Sequence, residues 1–302
     1  MQRDCKSLLI KTLDAHLLIF IKLFRHKDLK VDPEPMNKVI SKDGTVIAFD
    51  RLGKGPTLIL VGGSFEQRAM ESETSQLAVQ PVLLEHFTVI HYDRRGRGDS
   101  TDTSPYAVAR EVEDIEALIK EAGESSFVSG ISSGAVLAME AAIQLGEKVK
   151  KLAMYEPPYS FMEDATAQSL KKFRGQFKEA IAAGRRGEAV GHFFEMLGLP
   201  PEHLDKMRLL PMWGMWEAIA PTFGYEAALM GEDGSVPIQR AARIAVPTLI
   251  MNGSAGSSAM QRTAKTLAAA IPRAQHLTLE GQTHEVAAEV LAPALVAFFL
   301  AP

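Results

Sequence analysis

Residues 126–145 read SFVSGISSGAVLAMEAAIQL. A short β-rich run, Ser126–Ser129, leads into Gly130-Ile131-Ser132-Ser133-Gly134, and a helix-like stretch from Ala135 to Leu145 follows at once. A chain that turns from strand to helix in so few residues forces the central one into a strained backbone conformation. Glycines two before and two after it leave the space that larger side chains would fill. Ser132 is thereby expected to project above a sheet as a nucleophile. The helix starts at the same place, so its first N–H groups and its dipole favour negative charge developing beside the serine. Ser133 offers a competing hydroxyl but lacks glycines at those offsets. The Gly-x-Ser-x-Gly pattern says little alone; the strand before it and the helix after it give it meaning.

The same alternation extends in both directions. Thr45–Arg51 and Thr57–Val61 read as strands joined through the turn Gly53-Lys54-Gly55-Pro56, and Phe87–Tyr92 is a third apolar run. The amphipathic stretch Tyr106–Ala122 leads to the run before Ser132. Lys151–Tyr155, Pro247–Met251 and His276–Leu279 supply later strands, with helices read over Gln261–Ile271 and Val286–Phe299. Strands alternating with helices argue for an α/β fold whose central sheet is mostly parallel and covered on both faces. Between Pro157 and about Arg240 the β signal disappears. That segment carries Phe161, Phe173, Phe177, Phe193, Phe194, Met212, Trp213 and Trp216, and reads as an inserted helical cap. The domains are therefore residues 38–156 with 241–302 as the core, 157–240 as the cap, and 1–37 as an N-terminal extension and linker. Much of the Met and aromatic content is the cap's own small core. The part that faces the cleft, with Phe65, Met212, Trp213 and Trp216 as candidates, would offer apolar surface to a substrate and exclude water.

The chain has 302 residues, 46% hydrophobic and 23% charged, with a formal net charge of −4. Such a composition builds a packed core and lacks the basic footprint that nucleic acid requires. Cys5 is the sole cysteine, which leaves no intrachain disulfide and no cysteine cluster for zinc or iron–sulfur chemistry, so a reducing, cytoplasmic setting is expected. There is no His-Glu-x-x-His, phosphate loop or complete Gly-x-Gly-x-x-Gly, and no metal or organic cofactor is implied. In residues 1–35, Leu8, Leu9, Ile10, Leu13, Leu17, Ile21 and Phe24 recur at helical spacing. Lys22 interrupts the apolar run, no small-residue cleavage site follows, and the stretch falls short of the roughly 20 apolar residues a spanning helix needs. A helix packed on the domain, or an extension ahead of a start at Met36, is preferred over a membrane-surface anchor. Asp32-Pro33-Glu34-Pro35 then breaks that helix.

On the Ser132 turn and this order of elements, residues from about 38 to 300 resemble the α/β-hydrolase fold superfamily, with a cap inserted after the sixth strand. The resemblance implies the order nucleophile, acid, histidine, with the histidine on the loop after the last strand. His284, in Gly281-Gln282-Thr283-His284, meets that condition, and a neutral imidazole can take the serine proton and return it to the leaving group. The family also implies an oxyanion hole from the loop Gly62-Gly63-Ser64-Phe65, where many relatives have His-Gly at Gly62-Gly63. The backbone N–H groups of Ser64 and Ser133 are the expected donors. Asp93–Ser100, DRRGRGDS, also resembles the family, with charged side chains expected to tie the loop down.

The acid departs from the usual pattern. Relatives most often carry Asp after the strand corresponding to Pro247–Met251, but Asn252–Ser258 contains no carboxylate. Some members place the acid after the preceding strand, where this chain has Glu156; Glu285 is the next candidate, and a Ser-His pair without an acid is the remaining one. Serine at the turn argues against the dehalogenase and epoxide hydrolase branches. The expected activity is hydrolysis of esters or lactones of small to medium apolar acids. Carbon–carbon bond, thioester and perhydrolysis variants share the constellation. A non-catalytic, receptor-like member binding an apolar small molecule is the rival.

Overall fold

Central strands of this chain are apolar on both sides, and the architecture follows from covering both. The computed structural model describes residues 36–302 apart from 71, 160–166, 198 and 232; the amphipathic helix read over residues 1–35 lies outside the described residues. Eight strands form one sheet: β1 (Asn37–Ile40), β2 (Val46–Gly53), β3 (Thr57–Val61), β4 (Thr88–Tyr92), β5 (Ser126–Ile131), β6 (Val149–Tyr155), β7 (Thr248–Gly253) and β8 (Ala274–Leu279). Their order is β1-β2-β4-β3-β5-β6-β7-β8. The β1–β2 and β2–β4 pairs are antiparallel, and every later pair is parallel.

Strands β3, β4 and β7 are buried along their whole length, as a parallel sheet covered on both faces demands. Along β3 the side chains alternate between two cores. Ile59 and Val61 pack with Val112 and Ile115 of α3 (Val108–Ala122), and with Ala135 and Ala138 of α4 (Ser133–Leu145). Leu58 and Leu60 pack on the other face, with Leu77 of α1 (Glu73–Ala78), Leu83 of α2 (Pro81–Leu84), and Leu295 and Phe299 of α11 (Ala288–Leu300). Helix α3 ends at Gly123, whose φ of 109° allows the left-handed cap that closes it.

Seven of these strands coincide with β-rich runs of the sequence, with no end displaced by more than two residues. Strand β1 does not, because its four residues alternate between half-buried and exposed and pair only along the sheet edge. Helices α1 and α2 are too short for an apolar period to show. Helix α4 starts at Ser133, two residues earlier than its apolar run suggests, so Ser132 itself is the cap.

Between β6 and β7 lie α5 (Ala167–Ala182), α6 (Arg186–Met196), α7 (Pro201–Met207), α8 (Trp213–Ile219), α9 (Phe223–Met230) and α10 (Ile238–Ala241). This helical insertion belongs to the same compact unit as the sheet, Asn37–Pro302. Buried charges join the two. Arg94 forms a two-point pair with Glu111 of α3 at 2.7 and 2.8 Å and reaches Glu226 of α9 at 3.0 Å. Arg95 holds Asp114 at 2.8 and 2.7 Å. Asp93 accepts from the Arg68 backbone N–H at 2.7 Å and from the Asp99 N–H at 2.9 Å. The DRRGRGDS loop is thus tied down from within, and removing one partner of a buried pair costs roughly 3–5 kcal/mol. Among the described residues no helix is long and apolar enough to cross a membrane.

Two consequences can be measured. A Cβ on Gly134 would lie 2.2 Å from the Val61 carbonyl oxygen and 2.6 Å from that of Gly62, both backbone atoms. Gly134→Ala is expected to destabilise by about 3 kcal/mol, lowering Tm by roughly 5–10 °C in a thermal melt. Burial holds the His91 imidazole on β4 down to a pKa of about 4, against the opposing pull of Glu66. The unfolded chain binds that proton first, so stability present above about pH 6.5 is lost as pH falls toward 4, by up to roughly 3 kcal/mol. Urea titrations of His91→Gln should show a flatter slope across that window; a slope equal to wild type would rule the group out.

Candidate active site

Ser132 stands between β5 and α4 with φ 55° and ψ −127°, a conformation that costs a non-glycine residue about 1–3 kcal/mol. It is held there by Ser132 N–H donating to the Tyr155 carbonyl at 2.9 Å and by Ala135 N–H donating to the Ser132 carbonyl at 2.9 Å. The flanking glycines are required by contact: a Cβ on Gly130 would fall 2.3 Å from the Gly134 carbonyl oxygen. The Ser132 side chain is half-buried, reachable yet partly screened from water.

His284 follows β8 on a loop that three contacts fix. The Tyr155 hydroxyl donates to the Thr283 carbonyl, and Ala255 N–H donates to the Gln282 carbonyl at 2.9 Å. Gly253 lies so close that a Cβ there would come within 2.0 Å of the Gln282 oxygen. His284 Nε2 consequently sits 3.1 Å from Ser132 Oγ, and its Nδ1 sits 2.8 Å from Glu156 Oε2. An Nδ1–H donating to the carboxylate leaves Nε2 as acceptor for the serine hydroxyl.

Glu156 directly follows β6, is 0% exposed and has φ 44°. Its N–H donates to the Met251 carbonyl at 3.0 Å, and its Oε1 accepts from the Gly253 N–H at 2.9 Å. Gly256 supplies the room, since a Cβ there would lie 2.7 Å from Glu156 Oε1. The loop after β7, which has no acid of its own, is therefore shaped around a carboxylate contributed by the neighbouring strand. Asn252, buried near the end of β7, turns elsewhere, with Oδ1 2.7 Å from His276 Nε2. Glu285 is exposed and makes no bond to His284 among the described residues.

The loop after β3 lies against Ser132. A Cβ on Gly63 would meet Ser132 Cβ at 3.3 Å, and Ser64 Oγ is 3.1 Å from Ser133 Oγ. Ser133 opens α4, so its N–H has no acceptor within the helix. Two residues that no motif marks as functional hold this loop. Glu66 accepts from the Gly63 N–H at 2.7 Å and from the Thr74 hydroxyl; Arg97 Nη1 donates to the Gly63 carbonyl at 2.6 Å. Arg97 stands in a recognisable loop, but nothing local reveals its partner. Burial, then the neighbouring Glu66 charge, pushes the Glu73 carboxyl well above the usual carboxylate range.

Phe65, next to Ser64, is enclosed by rings of the insertion: Phe194 stacks on it at 4.7 Å, with Phe223 at 5.1 Å, Phe193 at 5.3 Å and Trp216 at 5.5 Å. Trp213 touches this group through Phe194 and Trp216. Met212, Trp213 and Trp216 are all buried, so much of their surface forms the insertion's own core. Phe65 is the point at which that core reaches the Ser64 loop.

The Alpha/beta hydrolase family profile matches residues 58–297. A crystal structure of an alpha/beta hydrolase from Sphaerobacter thermophilus DSM 20745 is 45% identical in sequence, with a TM-score of 0.77 over 87% of this chain and 100% of that one. Pyrrolizixenacetamide deacetylase of Xenorhabdus hominickii is 25% identical over 81% of this chain and 90% of its own. An uncharacterized hydrolase of Bacillus subtilis (strain 168), YraK, is 28% identical over 51% of this chain, and that match spans only 55% of its length. With a profile match that runs from β3 to within a few residues of the C-terminus, this chain belongs to the Alpha/beta hydrolase family and is a hydrolase.

Proposed function

We propose that the protein is a serine hydrolase that transfers acyl groups through Ser132, with His284 as base and then acid, and Glu156 as the orienting carboxylate. One observation carries this reading: a single imidazole bridges a half-buried serine and a fully buried carboxylate at 3.1 and 2.8 Å. Ser132 Oγ attacks the substrate carbonyl while His284 Nε2 takes its proton. The carbonyl oxygen gains negative charge and is received by the N–H groups of Ser64 and Ser133. His284 then protonates the leaving group, and water, activated by the same imidazole, releases the acid from the acyl-serine. Glu156 fixes the tautomer and stabilises the imidazolium; its second oxygen is held by Gly253, so it cannot swing away.

The substrates fitting this site are esters or lactones of small to medium apolar acids. The half-buried, stacked rings of Phe65 and Phe194 support that class, because they place apolar side chains next to Ser64, an expected oxyanion donor. Residues 157–240 act in this reading as a cap over the 38–156 and 241–302 core. The deacetylase relative brings an acetamide into the same chemistry, since amide and ester carbonyls are attacked by identical steps. A cytoplasmic location accompanies the proposal, consistent with a single cysteine.

Labelling by a fluorophosphonate reports an activated serine whatever the natural substrate. Wild type should label, and Ser132→Ala should not. His284→Ala is expected to slow labelling and ester turnover by about 10⁴-fold or more, and Glu156→Gln by roughly 10³–10⁴-fold. Absence of labelling in folded wild type would overturn the mechanism and turn attention to a bound apolar ligand. Comparing p-nitrophenyl acetate, butyrate and octanoate with an N-aryl acetamide tests the substrate class: butyrate or a longer ester should give the highest kcat/KM. A preference for the acetamide would move the assignment to amides.

A further inference from the structure

The peptide unit joining Gly63 to Ser64 has two ends with different tasks. Its N–H, that of Ser64, is the expected oxyanion donor and has no acceptor among the described residues. Its C=O, that of Gly63, is gripped by Arg97 Nη1 at 2.6 Å. In a planar trans peptide these groups point in opposite directions, so fixing the carbonyl on one side aims the N–H on the other. A charge-assisted bond to the carbonyl also polarises the unit and strengthens the N–H as a donor.

The guanidinium is itself held from the other side. Arg97 is 1% exposed. Its Nε donates to Thr222 Oγ1 at 3.1 Å and its Nη2 donates to Glu226 Oε1. Thr222 immediately precedes α9 and Glu226 lies within it, so both belong to the helical insertion. Nη1 also reaches the Glu66 carbonyl at 3.4 Å. The planar fork thus has one edge on the insertion and one on the oxyanion loop. The same Glu226 oxygen takes Arg94 Nη1 at 3.0 Å, while Arg94 is balanced by Glu111.

We propose that Arg97 is a positioning residue for the oxyanion hole: seated by Thr222 and Glu226 of the insertion, it orients the Gly63–Ser64 peptide so that Ser64 N–H meets the developing oxyanion. Seating of the insertion and competence for acyl transfer are thereby coupled through one side chain. This inference rests on the acyl-transfer reading above.

A purely structural role would lower Tm and leave the folded enzyme's kinetics alone, so the decisive readout is transition-state binding. The panel is wild type, Arg97→Lys, Thr222→Val, and Arg95→Lys as a control from the same loop whose side chain contacts Asp43, Asp114 and Arg110 but not Gly63. Each is assayed for Tm, for kcat and KM on p-nitrophenyl butyrate, and for Ki of an alkyl trifluoromethyl ketone, whose serine adduct carries an oxyanion. Arg97→Lys is expected to lower kcat by about 10²-fold with KM within about threefold, and to raise Ki in parallel. Thr222→Val should shift both by about three- to tenfold, and Arg95→Lys should change Tm alone. Wild-type kcat and Ki in folded Arg97→Lys overturn the inference while leaving Ser132 chemistry intact. Should Arg97→Lys not fold, an unchanged Ki in Thr222→Val overturns it. Wild type that neither labels at Ser132 nor cleaves any ester removes the acyl-transfer reading, and this inference with it.

Discussion

The close approach of Gly134 to the carbonyls of Val61 and Gly62 sets the scale of the whole site. Because no Cβ intervenes, α4 begins directly beside the end of β3. The first N–H of that helix, Ser132 at its cap and the Gly63–Ser64 peptide therefore share one small volume. Strain at Ser132, with its positive φ, is tolerated because the neighbouring backbone is pinned on both sides, to Tyr155 and through Ala135. A larger residue at Gly130 or Gly134 would push these groups apart, and each of the later distances depends on that spacing.

The Glu156–His284 pair shows how a sheet can bring a carboxylate to one histidine from alternative strands. β6 and β7 are parallel neighbours with Tyr155 opposite Met251, so residues just beyond their ends lie side by side. A carboxylate from either could reach the histidine. In this chain Glu156 spans the gap with its longer side chain, and glycines at 253, the last residue of β7, and 256, in the loop after it, vacate space that side chains there would occupy. The carboxylate is dry but not isolated: an imidazole on one oxygen and a backbone N–H on the other give it partners that burial would otherwise deny.

Buried charge recurs at the DRRGRGDS loop, where three arginines are fully buried. Isolated cations could not remain there; each is met by Glu111, Asp114 or Glu226 with direct hydrogen bonds. Such networks stabilise less than their Coulomb attraction suggests, since desolvation offsets most of it. They do impose geometry. The loop joins β4 to the insertion and to the loop after β3 in a single arrangement, and the insertion's aromatic core then meets Phe65 beside Ser64.

Much of this is legible without coordinates. The serine turn, the strand–helix alternation and the position of His284 after the last strand are written in spans of a few residues, because backbone strain, glycine requirement and apolar period are local properties. Strand β1 escapes because an edge strand is defined by its partner and carries no apolar run of its own. The pairing of Glu156 with His284 bridges 128 positions, and the grip of Arg97 on Gly63 bridges 34. Sequence by itself leaves Glu285 beside Glu156 as a candidate acid and presents Arg97 only as part of a charged loop. Folding alone decides which side chains meet, because hydrogen bonds between distant segments exist only where packing brings donor and acceptor within about 3 Å and removes competing water.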